Sequence, residues 1–301
     1  MDTAPPPVLT RHLTKRFRHV TALDSLDLRV EPGDVLALLG ANGSGKSTTF
    51  RLLLNIYRPS EGVASLLGTP STDLNGHHFE RVGYISEGQK MPKWMSVEGF
   101  LEYCSGFYRD WDSELCQRLM TSFGLPPKQK IKHLSRGQAM KVAVASTIPA
   151  RPQILLLDEP FSGLDVETRA QLSELLKTLA QQDGLAIILT THDVEEVEPV
   201  ANRLGILSQG RLKVNEPLEG YLARHRLLMA DNLELDTLSE SIRPKYAIAR
   251  ALQTESKIFT EHFDASLESA TLNALSEIGI VANFASMNIR QILTAHSLPV
   301  T

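Results

Sequence analysis

Residues 40–48 read GANGSGKST, a Gly-x4-Gly-Lys-Ser spacing suited to gripping a polyphosphate. Glycines let backbone N–H groups curl around phosphate oxygens, and a helix starting at the loop's end turns its positive pole toward the same anion. Asn42, Gly43, Gly45, Lys46, Ser47 and Thr48 are therefore candidate nucleotide contacts. Lys46 would reach the β and γ phosphates, and Ser47 Oγ would ligate Mg²⁺. Residues 154–160 read ILLLDEP, an apolar run ending in two acids. Asp158 is placed to hold the magnesium shell, and Glu159 to orient or deprotonate an attacking water. An acid pair after a strand is by itself an ordinary cap or turn. Beside a phosphate loop it becomes a candidate hydrolytic site.

Such a site needs a strand, a loop and a helix in succession. Val35–Leu39 is an apolar strand, and from Lys46 to about Tyr57 the spacing turns helical. Ile154–Leu157 and Leu185–Leu189 are apolar runs of the kind buried on both faces of a parallel sheet. Between them Leu172, Leu175, Leu176 and Leu179 mark one helix face. Val8–Phe17 and Val20–Val30 are β-rich, and Gly62–Leu67 and Arg81–Ser86 are strand-like. Ser96–His133 has helical spacing, Arg136–Thr147 predicts a helix, and Leu204–Ser208 with Arg211–Asn215 predicts a hairpin around Gln209-Gly210. Alternating strands and helices imply an α/β fold with a mostly parallel sheet. Beyond about Tyr221 the character changes. Leu267, Thr271, Leu275 and Ile278 form a helix stripe that Gly279 should stop, and Ile280–Phe284 reads as a strand. Residues 221–301 are thus expected to form a small α+β lobe. Its acidic excess favours a regulatory or packing role over a second catalytic centre.

Composition bounds the partners. The 301 residues carry 31 Lys plus Arg against 35 Asp plus Glu, which argues against a sequence-independent nucleic-acid binder. No apolar run approaches the roughly 18–20 residues of a membrane span, and the start lacks a secretory signal. A cytoplasmic chain is expected, with any membrane role borrowed from a partner. Cys104 and Cys116 are too few for a disulfide framework.

Three further motifs carry a resemblance. LSRGQ (Leu134–Gln138) lies between the phosphate loop and the acid pair, and SGLD (Ser162–Asp165) and TTHD (Thr190–Asp193) follow. This order resembles the ATP-binding subunit of an ABC transporter, over roughly residues 8–220. The resemblance implies a P-loop NTPase of ABC type, with a mostly parallel core sheet, an antiparallel β subdomain and a helical subdomain at about 90–150. It implies ATP and Mg²⁺ as cofactors and a second ATPase subunit, identical or not, whose signature motif faces this chain's phosphate loop. Ser135 and Gly137, with Gln138 beside them, would then contact the γ-phosphate held by the other subunit. Asp165 would link the two sites, and His192 would sense the γ-phosphate. An integral-membrane permease subunit is the further partner, leaving this chain peripheral on the inner face of the cell membrane. One ATPase unit per chain, LSRGQ, a YISE-type loop and the segment Asn283–Thr294 resemble the single-domain ATPases of small bacterial export systems, which implies an exporter.

The sequence departs from the commonest family pattern at three places. Phe17 stands where an aromatic, usually Tyr, stacks on adenine; a ring face suffices for stacking, with core packing as its rival role. In YISEGQ (Tyr84–Gln89) the expected loop residue beside magnesium and water is Glu87, with Gln89 the alternative. Arg136 replaces the more usual Gly of the signature, facing either polyphosphate or solvent. Trp94 and Met95, in a segment that borders the permease groove in the family, suit either docking or core packing. The rival reading for the whole chain is a soluble ABC ATPase in cluster assembly or DNA maintenance. Only 112 positions separate Lys46 from Asp158, too few for the long arms of the DNA-maintenance type.

Overall fold

The β-rich opening folds into β1 (Val8–Phe17) and β2 (Val20–Val30), paired antiparallel with Val8 opposite Val30 and Phe17 opposite Val20. The computed structural model describes residues 4–230, 238, 240, 243–245, 247–249 and 257–296. β1 also pairs with β4 (Glu61–Leu66), and β5 (Thr69–Pro70) completes a four-stranded antiparallel sheet in the order β2-β1-β4-β5.

The apolar run Val35–Leu39 forms β3, which leads into α1 (Lys46–Leu53). α2 (Gly76–Phe79) precedes β6 (Val82–Ile85). The helical stretch that follows holds α3 (Val97–Ser105), α4 (Ser113–Ser122) and α5 (Arg136–Ala145). The chain then returns through β7 (Ile154–Asp158), α6 (Val166–Asp183), β8 (Ala186–Thr191), β9 (Arg203–Ser208) and β10 (Arg211–Pro217). The six-stranded sheet has the order β10-β9-β3-β8-β7-β6, with parallel pairing from β9 through β6. β3, β7 and β8 are buried at every residue, as strands covered on both faces must be. Phe50 and Leu53 of α1 share one core cluster with Leu36, Leu156 and Ile188 of this sheet and Leu26 of the antiparallel one. Gln209 and Gly210 both take positive φ, 49° and 76°, as a two-residue turn between β9 and β10 requires.

The chain divides into two units, Met1–Asn215 and Glu216–Thr301. In the second, α7 (Leu218–Arg224) leads to β11 (Arg226–Ala230), β12 (Ala247–Ala249), β13 (Lys257–Thr260), α8 (Ala265–Glu277), β14 (Ala282–Ser286) and α9 (Ile289–His296). Its sheet has the order β12-β13-β11-β14 and its pairings are antiparallel. Leu228, Ile258, Leu267 and Leu275 form its own core. Among the described residues no helix is long and apolar enough to cross a membrane.

Of the boundaries that differ from expectation, three have a backbone reason. α1 stops at Leu53 rather than near Tyr57, because Asn55 takes φ +57° while Ile56 N–H donates to Arg51 O at 2.8 Å and Asn55 N–H to Leu52 O at 3.2 Å. That is a Schellman ending with Asn in glycine's usual place. Gly279 ends α8 in the same way, Ile280 N–H donating to Leu275 O at 2.9 Å. Ile278 is consequently an exposed cap residue, not part of the buried stripe. The bond from Ile280 also delays the strand, so β14 begins at Ala282 and Val281 is 92% exposed.

Candidate functional site

β3 runs directly into the 40–45 loop, and α1 begins behind Gly45, whose φ is +114°. A β-carbon there would lie 2.6 Å from Leu23 Cδ2 and 2.7 Å from Ala22 O, so conformation and space both demand glycine. No side chain caps α1 and no acid lies in its first turn, which leaves that turn's N–H groups as donors for an anion. Lys46 is buried; its Nζ donates to Gly40 O at 2.6 Å and lies 3.5 Å from Glu159 Oε1. Ser47 Oγ donates to Asp158 Oδ1 at 3.3 Å. Asn42 and Gly43 are exposed, and Thr48 is half-buried. An uncapped helix start, a buried ammonium and a hydroxyl–carboxylate pair together fit a magnesium-bound polyphosphate.

Parallel register brings the acids to this loop, because it sets Asp158 beside Thr190. The buried Thr190 hydroxyl donates to Asp158 Oδ1 at 2.6 Å and accepts from Glu159 N–H at 3.1 Å. Glu159 takes φ +51°, a left-handed conformation costing about 1–2 kcal/mol for a residue with a side chain. Its N–H also donates to Thr190 O at 3.2 Å, which helps hold that conformation. Its carboxylate, 8% exposed, stands between Lys46 and His192, whose Nδ1 is 2.8 Å from Glu159 Oε2. A carboxylate only accepts, so the imidazole carries its proton on Nδ1. Thr190 lies in the TTHD motif, but its role follows from strand register, which the motif itself does not carry.

The remaining motif residues form a second cluster. Ser135 Oγ accepts from Gln138 N–H at 3.1 Å and Gln138 Oε1 accepts from Ser135 N–H at 3.0 Å, a capping box at the start of α5. Asp165 caps α6, its oxygens accepting from Thr168 N–H at 2.8 Å and Thr168 Oγ1 at 2.9 Å. These two bonds hold its carboxyl below the usual carboxylate range. A β-carbon on Gly137 would lie 3.3 Å from Thr168 Oγ1, so the two helix starts lie side by side. Arg136 is exposed yet overlies Gly163, where a β-carbon would come within 2.6 Å of its Nη1. Ser162 N–H, in the turn before Asp165, donates to Glu159 O at 3.2 Å, but among the described residues no hydrogen bond or ion pair joins Ser135, Gly137, Gln138 or Asp165 to Lys46, Asp158, Glu159 or His192.

Glu87, Gln89, Arg136 and Glu159 line a cleft of about 170 Å³. Gln89 turns back on its own loop, its amide oxygen accepting from Ser86 N–H at 3.2 Å and Ser86 Oγ at 2.8 Å, while Glu87 is exposed. Phe17 is 39% exposed, with Tyr57 edge-on at 5.3 Å and Lys15 Nζ 5.0 Å from its ring centroid. The ring is therefore a surface platform rather than a core residue.

Fold and site together define a nucleotide-hydrolysing P-loop ATPase. The ABC transporter family model matches residues 23–162. An ABC transporter ATP-binding protein of Nostoc sp., itself uncharacterized, is 34% identical over 72% of this chain and 68% of its own length. The sulfate/thiosulfate import ATP-binding protein of Rhodopseudomonas palustris is 33% identical over 70% of this chain and 63% of its own. The taurine import ATP-binding protein of Shigella flexneri is 33% identical over 71% of this chain and 84% of its own. Among solved structures, an ATP-binding subunit of an ABC transporter superposes with TM-score 0.65 at 26% identity, covering 72% of this chain and 91% of that one. The chain belongs to the ABC transporter ATP-binding proteins; it binds ATP with Mg²⁺ and hydrolyses ATP. The relatives named here by their cargo are importers, and the export direction gains no support from them.

Proposed function

We propose that the chain works as one of two ATPase subunits on an integral-membrane permease, and that closure of the pair on ATP and its reopening after hydrolysis drive transport across the membrane. The reading makes the chain cytoplasmic and peripheral on the inner face of the cell membrane.

Within each site, Lys46 and the opening turn of α1, with Asn42, Gly43, Gly45 and Thr48, grip the phosphates, and Phe17 stacks on the adenine. Ser47 and Asp158, with Glu87 facing the cleft, would hold Mg²⁺, which when bound neutralises charge and polarises the phosphoryl oxygens. Glu159 accepts the proton of the attacking water, and Lys46 and His192 fix where its carboxylate points. His192, half-exposed, contacts the terminal phosphate. Ser135, Gly137 and Gln138 would complete the partner's site, and Asp165 would link the two. Trp94 is 74% exposed and Tyr103 and Phe107 form an exposed ring pair with centroids 5.0 Å apart, aromatic surface suited to a permease helix. The lobe at 221–301 is an accessory without chemistry of its own.

The observation that carries the reading is that Ser135 and Gln138 bond each other, and that with Gly137 they make no hydrogen bond to their own chain's phosphate loop among the described residues, which leaves them suited to serve another's. Mixing Ser135→Arg subunits with Lys46→Ala subunits tests it. Each mixed dimer then has one doubly defective and one intact site, so ATPase activity should reappear from two inactive parents. No recovery, with subunit exchange verified by mass, would contradict composite sites.

A further inference from the structure

Glu196 is a carboxylate with no part in the chemistry above, yet it is 4% exposed. It ends the 3-10 turn Val194–Glu196 that follows His192. Its Oε2 accepts from Thr191 Oγ1 at 2.5 Å, and its Oε1 lies 3.7 Å from Nη2 of Arg169. Burial pushes its carboxyl above the usual carboxylate range. An ion pair with a buried carboxylate is a poor device for stability alone, since well-packed apolar side chains do as well without the desolvation cost. The two partners sit at places that matter to the reaction. Thr191 immediately precedes His192; its hydroxyl also accepts from Asp193 N–H at 2.9 Å, and its carbonyl accepts from Gly40 N–H at 3.2 Å. Arg169 belongs to the first turn of α6, its N–H donating to Asp165 O at 3.0 Å.

We propose that Arg169 and Glu196 are positioning residues that tie the opening turn of α6 to the Thr191–His192–Asp193 turn and so hold His192 against Glu159. Glu196 grips Thr191, and Thr191 in turn fixes the backbone on both sides of His192. Arg169 sets Glu196 and moves with Asp165, so a displacement at the start of α6 reaches His192 through two side chains. Removing either charge lets the turn relax and lengthens the His192–Glu159 contact, while Lys46 keeps its own bond to Gly40 O.

The inference rests on the proposed role of His192, and a double-mutant cycle keeps the two apart. Single-turnover ATP hydrolysis and ATP affinity are measured on the full chain carrying Glu196→Gln, Arg169→Met, Arg169→Lys or His192→Ala, and on the Glu196→Gln/His192→Ala double variant. Glu196→Gln and Arg169→Met should each slow hydrolysis by about tenfold, the scale of one charge-assisted contact, with ATP affinity within about twofold of the parent. Arg169→Lys should recover part of the loss. On the His192→Ala background Glu196→Gln should add less than about twofold, because the group through which it acts is gone. A full further tenfold on that background overturns the proposal, as does a lowered melting temperature with hydrolysis unchanged. His192→Ala hydrolysing at the parental rate would instead sink the role of His192 itself. Arg169 is 30% exposed, so Arg169→Met carries the test should Glu196→Gln fail to fold.

Discussion

Asp165, at the start of α6, shows how local bonds shape the site. Asp165 holds the first turn of α6 through Thr168, and its carboxyl lies below its ordinary value because the charged form receives both bonds. A depressed carboxyl contributes stability that is complete above its unfolded pKa, near 3.9, and is lost as pH falls through the folded value. Asp165→Ala should therefore melt lower than the parent at pH 7, with the gap narrowing as pH falls below about 4, which thermal unfolding at neutral and acid pH will check. An unchanged gap at low pH would show that the bonds do not favour the ionised form. The phosphate loop and acid pair were legible in sequence because their chemistry is contiguous, each motif carrying its own strand or helix. Thr190 and the Arg169–Glu196 pair were not. Their partners lie 32 and 27 positions away, and only strand register and helix packing bring them together.

At the scale of elements, the periods of the apolar runs gave the strands and helices, whereas the ends were decided by single backbone conformations. Gly279 announces the end of α8 by residue type; Asn55 ends α1 in the same geometry with a residue that is also common elsewhere. Because Asn55 takes φ +57°, Asn55→Val should lower the stability of the ATPase unit by about 1–2 kcal/mol. Asn55→Gly should stay within about 0.5 kcal/mol of the parent in thermal unfolding. Equal effects of the two would show that the left-handed turn does not limit α1. The order β10-β9-β3-β8-β7-β6 was beyond the pattern, since alternation of strands and helices implies a parallel sheet without fixing which strands are neighbours. That order matters here, because β3, β8 and β7 are adjacent and bring the phosphate loop, His192 and the acid pair to one edge.

At the scale of the molecule, every residue assigned to nucleotide lies within Met1–Asn215, and Glu216–Thr301 has its own sheet and core. A chain ending at Pro217, the last residue of β10, should fold and bind ATP with parental affinity in a nucleotide titration. Folded protein without ATP binding would refute this division of labour. The central claim is that Glu159, set between Lys46 and His192, activates the water, and Glu159→Gln tests it most directly because it keeps the shape and removes the base. Single-turnover hydrolysis should fall by about a hundredfold or more, ATP affinity should stay within about twofold, and native mass spectrometry should find an ATP-bound dimer accumulating. Hydrolysis near the parental rate in that variant would contradict the account.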